Sequence, residues 1–468
     1  MRLSTGSQPL RAGWELLSAR LPPGPRGREG PDPEQVATHQ RTRLELAMIE
    51  AVGEHGYEAT KITELASRSG VSTRSFYDLF SGKDECLFAT YEMVVGNLTR
   101  RIIHAQARQH DWRDGVYHAF EVLTQQLAQE PGAARLALID VLSAGPESLV
   151  RMRRTVASLE QLIFAICARA PTPLKPPRLL VRGVIAGLTR VVRAHILEGR
   201  IADLPDIAEE LAEWTLSYAS PAAQVLESPD LAHAPSPQWQ RSPTRGRCSD
   251  PSANPHGRPC RDERARVLEA ALKIAAEEGA AGLTVGKLAF AGGVSKRRVR
   301  ELFGSCVDCL LRAFELACAR ALGEGMEAAE STHGDWPGAV RRTAEVFVAS
   351  LVSDPTLARV ACVEVLAVGP AGLECRDSLL GGFEQALLRT TPTGLKTTPT
   401  TAAASVGAAW GIVCEHACQR TTAHPSVLAA SVAYMLLAPV MGASRARSAI
   451  EDGHTTDAGR RYARGATE

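Results

Sequence analysis

Between Arg41 and Tyr57 the apolar side chains fall at Leu44, Ala47, Met48, Ala51 and Val52, the three-and-four spacing of one buried helical face, and Gly56-Tyr57 closes the run. A shorter stripe follows at Ile62, Leu65 and Ala66. Gly70 ends it, since a residue without Cβ takes positive φ at no steric cost. Val71 plugs the corner and Ser72 is placed to cap the next helix. In that helix Phe76, Leu79 and Phe80 share one side, which leaves Thr73, Arg74, Ser75 and Tyr77 free. Ser81-Gly82-Lys83-Asp84-Glu85 then starts a helix through Leu87, Phe88 and Tyr91. Two short helices at a tight turn, the second with a buried aromatic edge and a free polar, cationic edge, suit a DNA major groove. The plainer reading of the turn alone is an exposed hairpin in a helical enzyme; the flanking helices argue against it.

From Glu92 to Leu216 the pattern stays helical, broken at Asp111–Gly115, Pro131-Gly132, Gly145-Pro146 and Pro171–Pro173. Residues 220–260 collect Pro, Ser, Ala and Arg with little periodicity and read as a linker. Then the chain starts again. Arg264 to Ala276 repeats the first amphipathic stripe, Val285-Gly286-Lys287-Leu288-Ala289 matches Ile62 to Ala66, and Gly293-Val294-Ser295 matches Gly70-Val71-Ser72. The offset is constant at 223, and at Pro131 against Pro355 it is 224. His195 and His416 sit late in equivalent helices. The pattern predicts an all-α fold made by internal duplication. Its expected parts are a disordered arm (1–37), a first helix-turn-helix domain (38–92) and a helical regulatory domain (93–219). After the linker come a divergent second helix-turn-helix domain (261–315), a second helical domain (316–442) and a disordered tail (443–468).

A net charge of +1 excludes a polycationic chain, so any nucleic-acid binding must come from a local basic surface. Apolar residues make up 45%, enough for packed cores, and the scarcity of aromatics favours helices over sheets. The 11 cysteines are odd in number and irregularly spaced, with Cys86, Cys167, Cys318 and Cys362 inside apolar helical faces. That suits free thiols and a reducing cytoplasm better than a disulfide framework. No stretch is long and apolar enough for a membrane span, and no signal-peptide core opens the sequence, so a cytoplasmic location without membrane contact is expected.

The run from Thr38 to Glu92, through Gly56-Tyr57, Gly70-Val71-Ser72, Phe76-Tyr77, Phe80 and Lys83, resembles the DNA-binding domain of the tetracycline-repressor (TetR) family. One departure is Lys61, where the family commonly has Thr; Thr60 is the alternative cap. The Pro-Pro-Gly-Pro-Arg segment at 22–26 is similar to the arm ahead of the first helix in some such regulators, and a plain disordered tail is the competing reading. The resemblance implies DNA contacts from Lys61, Thr63, Ser72, Thr73, Arg74, Ser75, Tyr77 and Lys83, the last as a backbone anchor. In the second copy the corresponding surface holds Ser295, Lys296, Arg297, Arg298 and Arg300. Val299-Arg300 replaces Phe76-Tyr77, Cys306 replaces Lys83, and Gly286 weakens the first motif helix by about 1 kcal/mol. That copy either grips phosphates and guanines or survives only for packing.

The family further implies a double-stranded operator, a small-molecule effector, and two recognition helices brought together by dimerisation. Two copies in one chain can form that pair internally, since a flexible linker of about forty residues spans on the order of 35 Å. A homodimer of tandem chains with four reading heads is the rival. Trp112, Tyr117, His118, Phe164, His195 and Trp214 are candidates for an effector pocket, each equally readable as core. The expected mechanism is a repressor relieved by ligand; an adaptor whose helix-turn-helix units no longer bind DNA is the alternative.

The Cys306-Val307-Asp308-Cys309 pair has no partner pair at zinc spacing, and Cys414-Glu415-His416-Ala417-Cys418 offers too few ligands for a closed site. There is no phosphate loop, dinucleotide turn or nucleophile elbow. No metal, no cofactor and no enzymatic activity are expected.

Overall fold

The computed structural model describes residues 32–171, 174–227, 260–332, 334–419 and 424–452, and these are helical with no strand among them. They divide into two compact units. The first holds the described residues up to Ala157 together with Val192–Ala212; the second holds Ser158–Val191 and the described residues from Glu213 onward.

In the first unit α1 (Pro33–Ala59) starts on Asp32, whose carboxylate accepts the Glu34 N–H. The helix thus takes in residues expected to belong to a disordered arm, because Asp32-Pro33 is a capping pair. The rest of that arm, including the Arg-bearing segment, lies outside the described residues. Gly56, at φ 82°, breaks α1 before α2 (Ile62–Ser69). Gly70, at φ 62°, joins α2 to α3 (Thr73–Leu79). Leu44, Met48, Leu65, Phe76, Phe80 and Leu87 are buried beneath the three helices. α4 (Lys83–Ala107) runs without a break through the boundary expected near residue 92, so one rigid rod belongs both to the DNA-binding domain and to the bundle.

Asp111 caps α5 (Trp112–Gln129), which places Trp112 inside a helix rather than in a break. α6 (Pro131–Leu138) leads through a 3₁₀ turn at Asp140–Ala144 into α7 (Pro146–Cys167). Asp140 is almost fully buried, pairs with Arg135 Nε at 3.1 Å, and accepts the Tyr57 backbone N–H just after Gly56. Leu127, Ala134, Val192 and Leu204 form a further core, with Leu98, Leu123, Ile201 and Ile207 packed on it. Val192 comes from α8 (Arg178–Leu197) and Leu204 from the 3₁₀ turn Ile201–Ile207, which leads into α9 (Ala208–Leu216).

In the second unit the expected linker starts late. Pro221–Glu227 is a 3₁₀ turn that buries Ala222, Ala223 and Leu226, an apolar triplet strong enough to hold the segment in place. Residues 228–259 lie outside the described residues. α10 (Cys260–Glu278), α11 (Val285–Gly292), α12 (Lys296–Leu302) and α13 (Cys306–Ala329) follow. Next come α14 (Trp336–Ser353) and α15 (Pro355–Ala367), the latter with a π turn at Val360–Glu364. α16 (Pro370–Thr390), α17 (Pro399–Gln419) and α18 (Pro425–Met441) complete the bundle. Residues 443–452 form a last helix, α19, where a disordered tail was expected; Ala446 and Ile450, one turn apart, are fully buried and anchor it.

Backbone conformations recur at the sequence offset. Gly56 and Gly279 share φ 82° and ψ 165°, and Gly70 and Gly293 lie at φ 62° and 63°. Arg41 stacks on Phe80 at 4.7 Å and Arg264 on Phe303 at 5.1 Å. Glu364 pairs with Arg359 at 3.0 Å and accepts the Ala280 N–H at 2.9 Å, as Asp140 does with Arg135 and Tyr57.

Also within the second unit, the part of α8 up to Val191 packs antiparallel on α17. A Cβ at Gly187 would collide with the Ala404 carbonyl and the Trp214 ring, one at Gly407 would lie 2.6 Å from Arg190 Cβ, and one at Gly411 would collide with Ala186. Arg182 joins Glu160 at 2.8 Å and also pairs with Glu415, and Arg190 meets Glu384 at 2.8 Å. Trp214 Nε1 donates to Ser405 Oγ at 3.0 Å, and the Tyr218 hydroxyl donates to the Met435 carbonyl at 2.8 Å. No single helix among the described residues is long and apolar enough to cross a membrane.

Candidate nucleic-acid interface

The first helix-turn-helix is built from its caps outward. Ser72 accepts the Ser75 N–H at 3.0 Å, which satisfies an orphan donor at the start of α3 and fixes the exit from the turn. Lys61 occupies the N-cap of α2 with no side-chain cap bond. Thr60 does not substitute for it: its hydroxyl donates back to the Gly56 carbonyl at 2.9 Å and is buried. Phe76 fills the core and meets Tyr77 edge-on at 5.5 Å, so the Tyr77 ring is supported from below while 57% of the residue stays exposed. Lys61, Thr63, Ser72, Thr73 and Arg74 are exposed and Ser75 is half-buried, so these positions expected to meet DNA are, like Tyr77, open to solvent at least in part.

Lys83 has partners within the protein. Its ammonium donates to the carbonyls of Tyr57 at 2.9 Å, Thr60 at 3.1 Å and Glu58 at 3.5 Å, and it lies 4.1 Å from the Tyr57 ring centre. The residue expected to hold a phosphate clamps the α1–α2 turn in the absence of DNA. Arg68 is likewise committed, to Glu54 at 2.5 Å and Glu64 at 2.8 Å. These hydrogen bonds hold the Glu54 carboxyl below the usual carboxylate range. Glu54, His55 and Glu64 converge closely enough to suggest a cation site, but the Arg68 guanidinium already sits on both carboxylates.

In the second helix-turn-helix Thr284 stands where Lys61 does in the first and accepts the Lys287 N–H at 3.3 Å. Ser295 accepts the Arg298 N–H at 3.1 Å. Lys296, Arg297 and Arg300 are exposed. Arg297 pairs with Glu301 at 2.9 Å, and Arg298 with Glu263 at 2.8 Å and Glu301 at 3.2 Å. Glu301 is held below its ordinary pKa by those arginines, first Arg297 and then Arg298. The positive helix therefore carries its own counter-charge, which weakens its field relative to the count of arginines. Phe290, at the place of Ser67, is 91% exposed.

The pocket candidates are divided between the two units, Trp112, Tyr117, His118 and His195 in the first and Phe164 and Trp214 in the second. Trp112, Tyr117 and His118 are half-buried, with Arg113 over the Trp112 ring and His118 bonded to Glu121 at 2.9 Å. Phe164 is half-buried, His195 is buried, and Trp214 is taken up by the α9–α17 contact. A cavity of about 210 Å³ lies elsewhere, among α13, α14, α16, α17 and α18 of the second unit. Pattern reading also missed the buried carboxylates Asp140 and Glu364. Their signal was present as Arg135 and Asp140 five residues apart, repeated as Arg359 and Glu364.

Residues 47–90 match the family described as bacterial regulatory proteins, tetR family. Among solved structures, the transcriptional regulator FadR from Bacillus subtilis, in complex with stearoyl-CoA, is 15% identical, covers 38% of this chain and 97% of its own, and has a TM-score of 0.35. FadR from Bacillus halodurans is 17% identical over 41% of this chain and 97% of its own, with a TM-score of 0.35. A TetR family regulator from Marinobacter aquaeolei VT8 is 20% identical over 38% and 97%, with a TM-score of 0.30. At scores this low the likenesses carry no functional argument. The family match lies on the first helix-turn-helix, that of a DNA-binding transcriptional regulator.

Proposed function

We propose that the chain is a sequence-specific DNA-binding regulator in which two tandem TetR-like halves act as a single-chain pseudo-dimer, repressing until a small ligand relieves it. The observation that carries this reading is the antiparallel packing of α8 on α17. Glycines at 187, 407 and 411 let the backbones approach, and the arginines at 182 and 190 cross to carboxylates of the later half. A surface so used serves the pairing that ordinary members of the family make between two chains. Each half also has the same carboxylate bridge from bundle to helix-turn-helix, a route by which ligand in a bundle bears on the reading head. Ligand and operator would then oppose each other by linkage.

Selection from a duplex library across a salt series tests the reading. Enrichment of two unlike half-sites, one of them lost in an Arg297→Ala/Arg298→Ala variant, is expected. A single half-site would make the second head structural. No enrichment at low salt, where phosphate contacts are strongest, would favour the adaptor reading.

A further inference from the structure

The cavity among α13, α14, α16, α17 and α18 is walled almost wholly by carbon. Among the described residues its lining holds no charged side chain. The two hydroxyls in that lining have given up their protons: Thr343 donates to the Gly325 carbonyl at 3.3 Å and Thr390 to the Ala386 carbonyl at 2.9 Å. Trp336 and Trp410 line the cavity as well, but their Nε1 atoms are closed off, so they present ring carbon. Phe347 and Phe383 complete an aromatic wall. They meet edge-on at 5.8 Å, and Phe347 lies tilted against Trp410 at 6.4 Å. Met326 stands in the same lining and is 42% exposed, which places the opening beside it.

We propose that this cavity binds a small, uncharged, hydrocarbon-like molecule of the class of alkyl-substituted aromatic rings. A carboxylate or an ammonium would sit there as a buried charge with no opposite charge in the wall. A ligand that brings hydrogen-bonding groups inside finds no donor to meet them and bears their desolvation. Water against such a wall is poorly held, so its displacement by an apolar group is favourable. The aromatic wall suits a ring, since edges and faces of π-systems attract one another beyond the area they bury. Size sets the upper limit: an apolar cavity of about 150 Å³ accepts benzene, and at about 210 Å³ this one has room for a ring with a short alkyl branch.

Along the repeat the first half reads differently. Leu123, Leu159 and Thr189 hold the places of Phe347, Phe383 and Trp410. The aromatic wall, and with it the preference for a ring, is thereby assigned to the second half. The inference names a ligand class for the ligand-relieved reading; it rests on that reading for its biological consequence and not for its test.

The test is titration of the full chain, ¹³C-labelled at its methionine methyls, with isopropylbenzene and, separately, with benzoate, which has a similar shape and a charge. The Met326 methyl signal, identified with a Met326→Leu variant, is expected to move with isopropylbenzene through the ring current and to stay in place with benzoate. Ala386 on α16 and Ala339 on α14 both line the cavity and are half-buried, so enlarging either narrows the cavity without opening a closed core. Ala386→Leu and Ala339→Leu should each weaken isopropylbenzene about tenfold while melting as cooperatively as the wild type. An unmoved Met326 signal, benzoate bound as tightly as isopropylbenzene, or an affinity unchanged in both variants would overturn the proposal. Adding the selected duplex separates the two ideas. Isopropylbenzene bound with the duplex retained keeps the ligand class and removes the relief mechanism, whereas an unmoved Met326 signal removes the ligand class whatever the duplex does.

Discussion

Lys83 and Asp140 show how single side chains set the posture of the reading head. The Lys83 ammonium ties α4 to the carbonyls of the α1–α2 turn, so its role is present before any DNA arrives. Lys83→Met should lower the thermal stability of the DNA-free protein by about 1–3 kcal/mol, the scale of hydrogen bonds to a charged group. An unchanged melting curve would restore the simple phosphate role. Asp140 works from the bundle side. Burial raises its carboxyl above the ordinary range, against the pull of Arg135 and the Tyr57 N–H. A carboxyl whose folded pKa exceeds its unfolded value, about 3.9, contributes stability that is full below that pH and is lost as pH rises through the folded pKa. Asp140→Asn removes that dependence. Chemical denaturation between about pH 4 and pH 7 should therefore cost the wild type more stability than the variant. Equal losses would place the titration on another group.

At the scale of elements, the helix-turn-helix was legible because short-range chemistry decides it: a glycine at Gly70, a serine cap at Ser72 and the aromatic edge of Phe76 and Phe80. The interruption expected at Asp111–Gly115 was misread, since Asp111 is a cap and the helix begins one residue later. The burial of Ala446 and Ile450 lies in a stretch whose composition reads as polar, so local patterning does not contain it. The α8–α17 contact is of the same kind. Its glycines are visible in the sequence, but only the opposing backbone shows why they are needed. Gly187→Ala would force its Cβ against the Ala404 carbonyl, which cannot rotate away as a side chain can. Overpacking of this kind costs about 1–3 kcal/mol. Glu160→Gln removes a fully buried carboxylate from Arg182, which retains Glu415. A loss near 3 kcal/mol is expected, the low end for breaking a buried pair. Urea unfolding reads both; values within 0.5 kcal/mol of wild type would mean that the contact contributes little.

For the whole molecule, the proposed joining of two halves in one chain turns a question of association into one of stoichiometry. On the proposed pseudo-dimer reading, two halves held on one chain would face each other at an effective concentration near millimolar, which dilution cannot change. A pseudo-dimer should therefore sediment as one chain from micromolar to nanomolar concentration. It should occupy its selected duplex as one chain per site, with a non-cooperative isotherm. A homodimer of tandem chains would instead double in mass on concentration and bind with a steeper curve. The unlike heads make the outcome richer than a count. Tyr77 and Arg74 offer hydrogen bonds from a neutral and a charged donor, while Arg297 and Arg298 carry Glu301 beside them. Removing that acid by Glu301→Gln should unmask the arginines, tighten binding and steepen the salt dependence by about one phosphate's worth of counterion release. An unaltered slope would mean that α12 stays off the DNA and that the first half alone supplies the affinity.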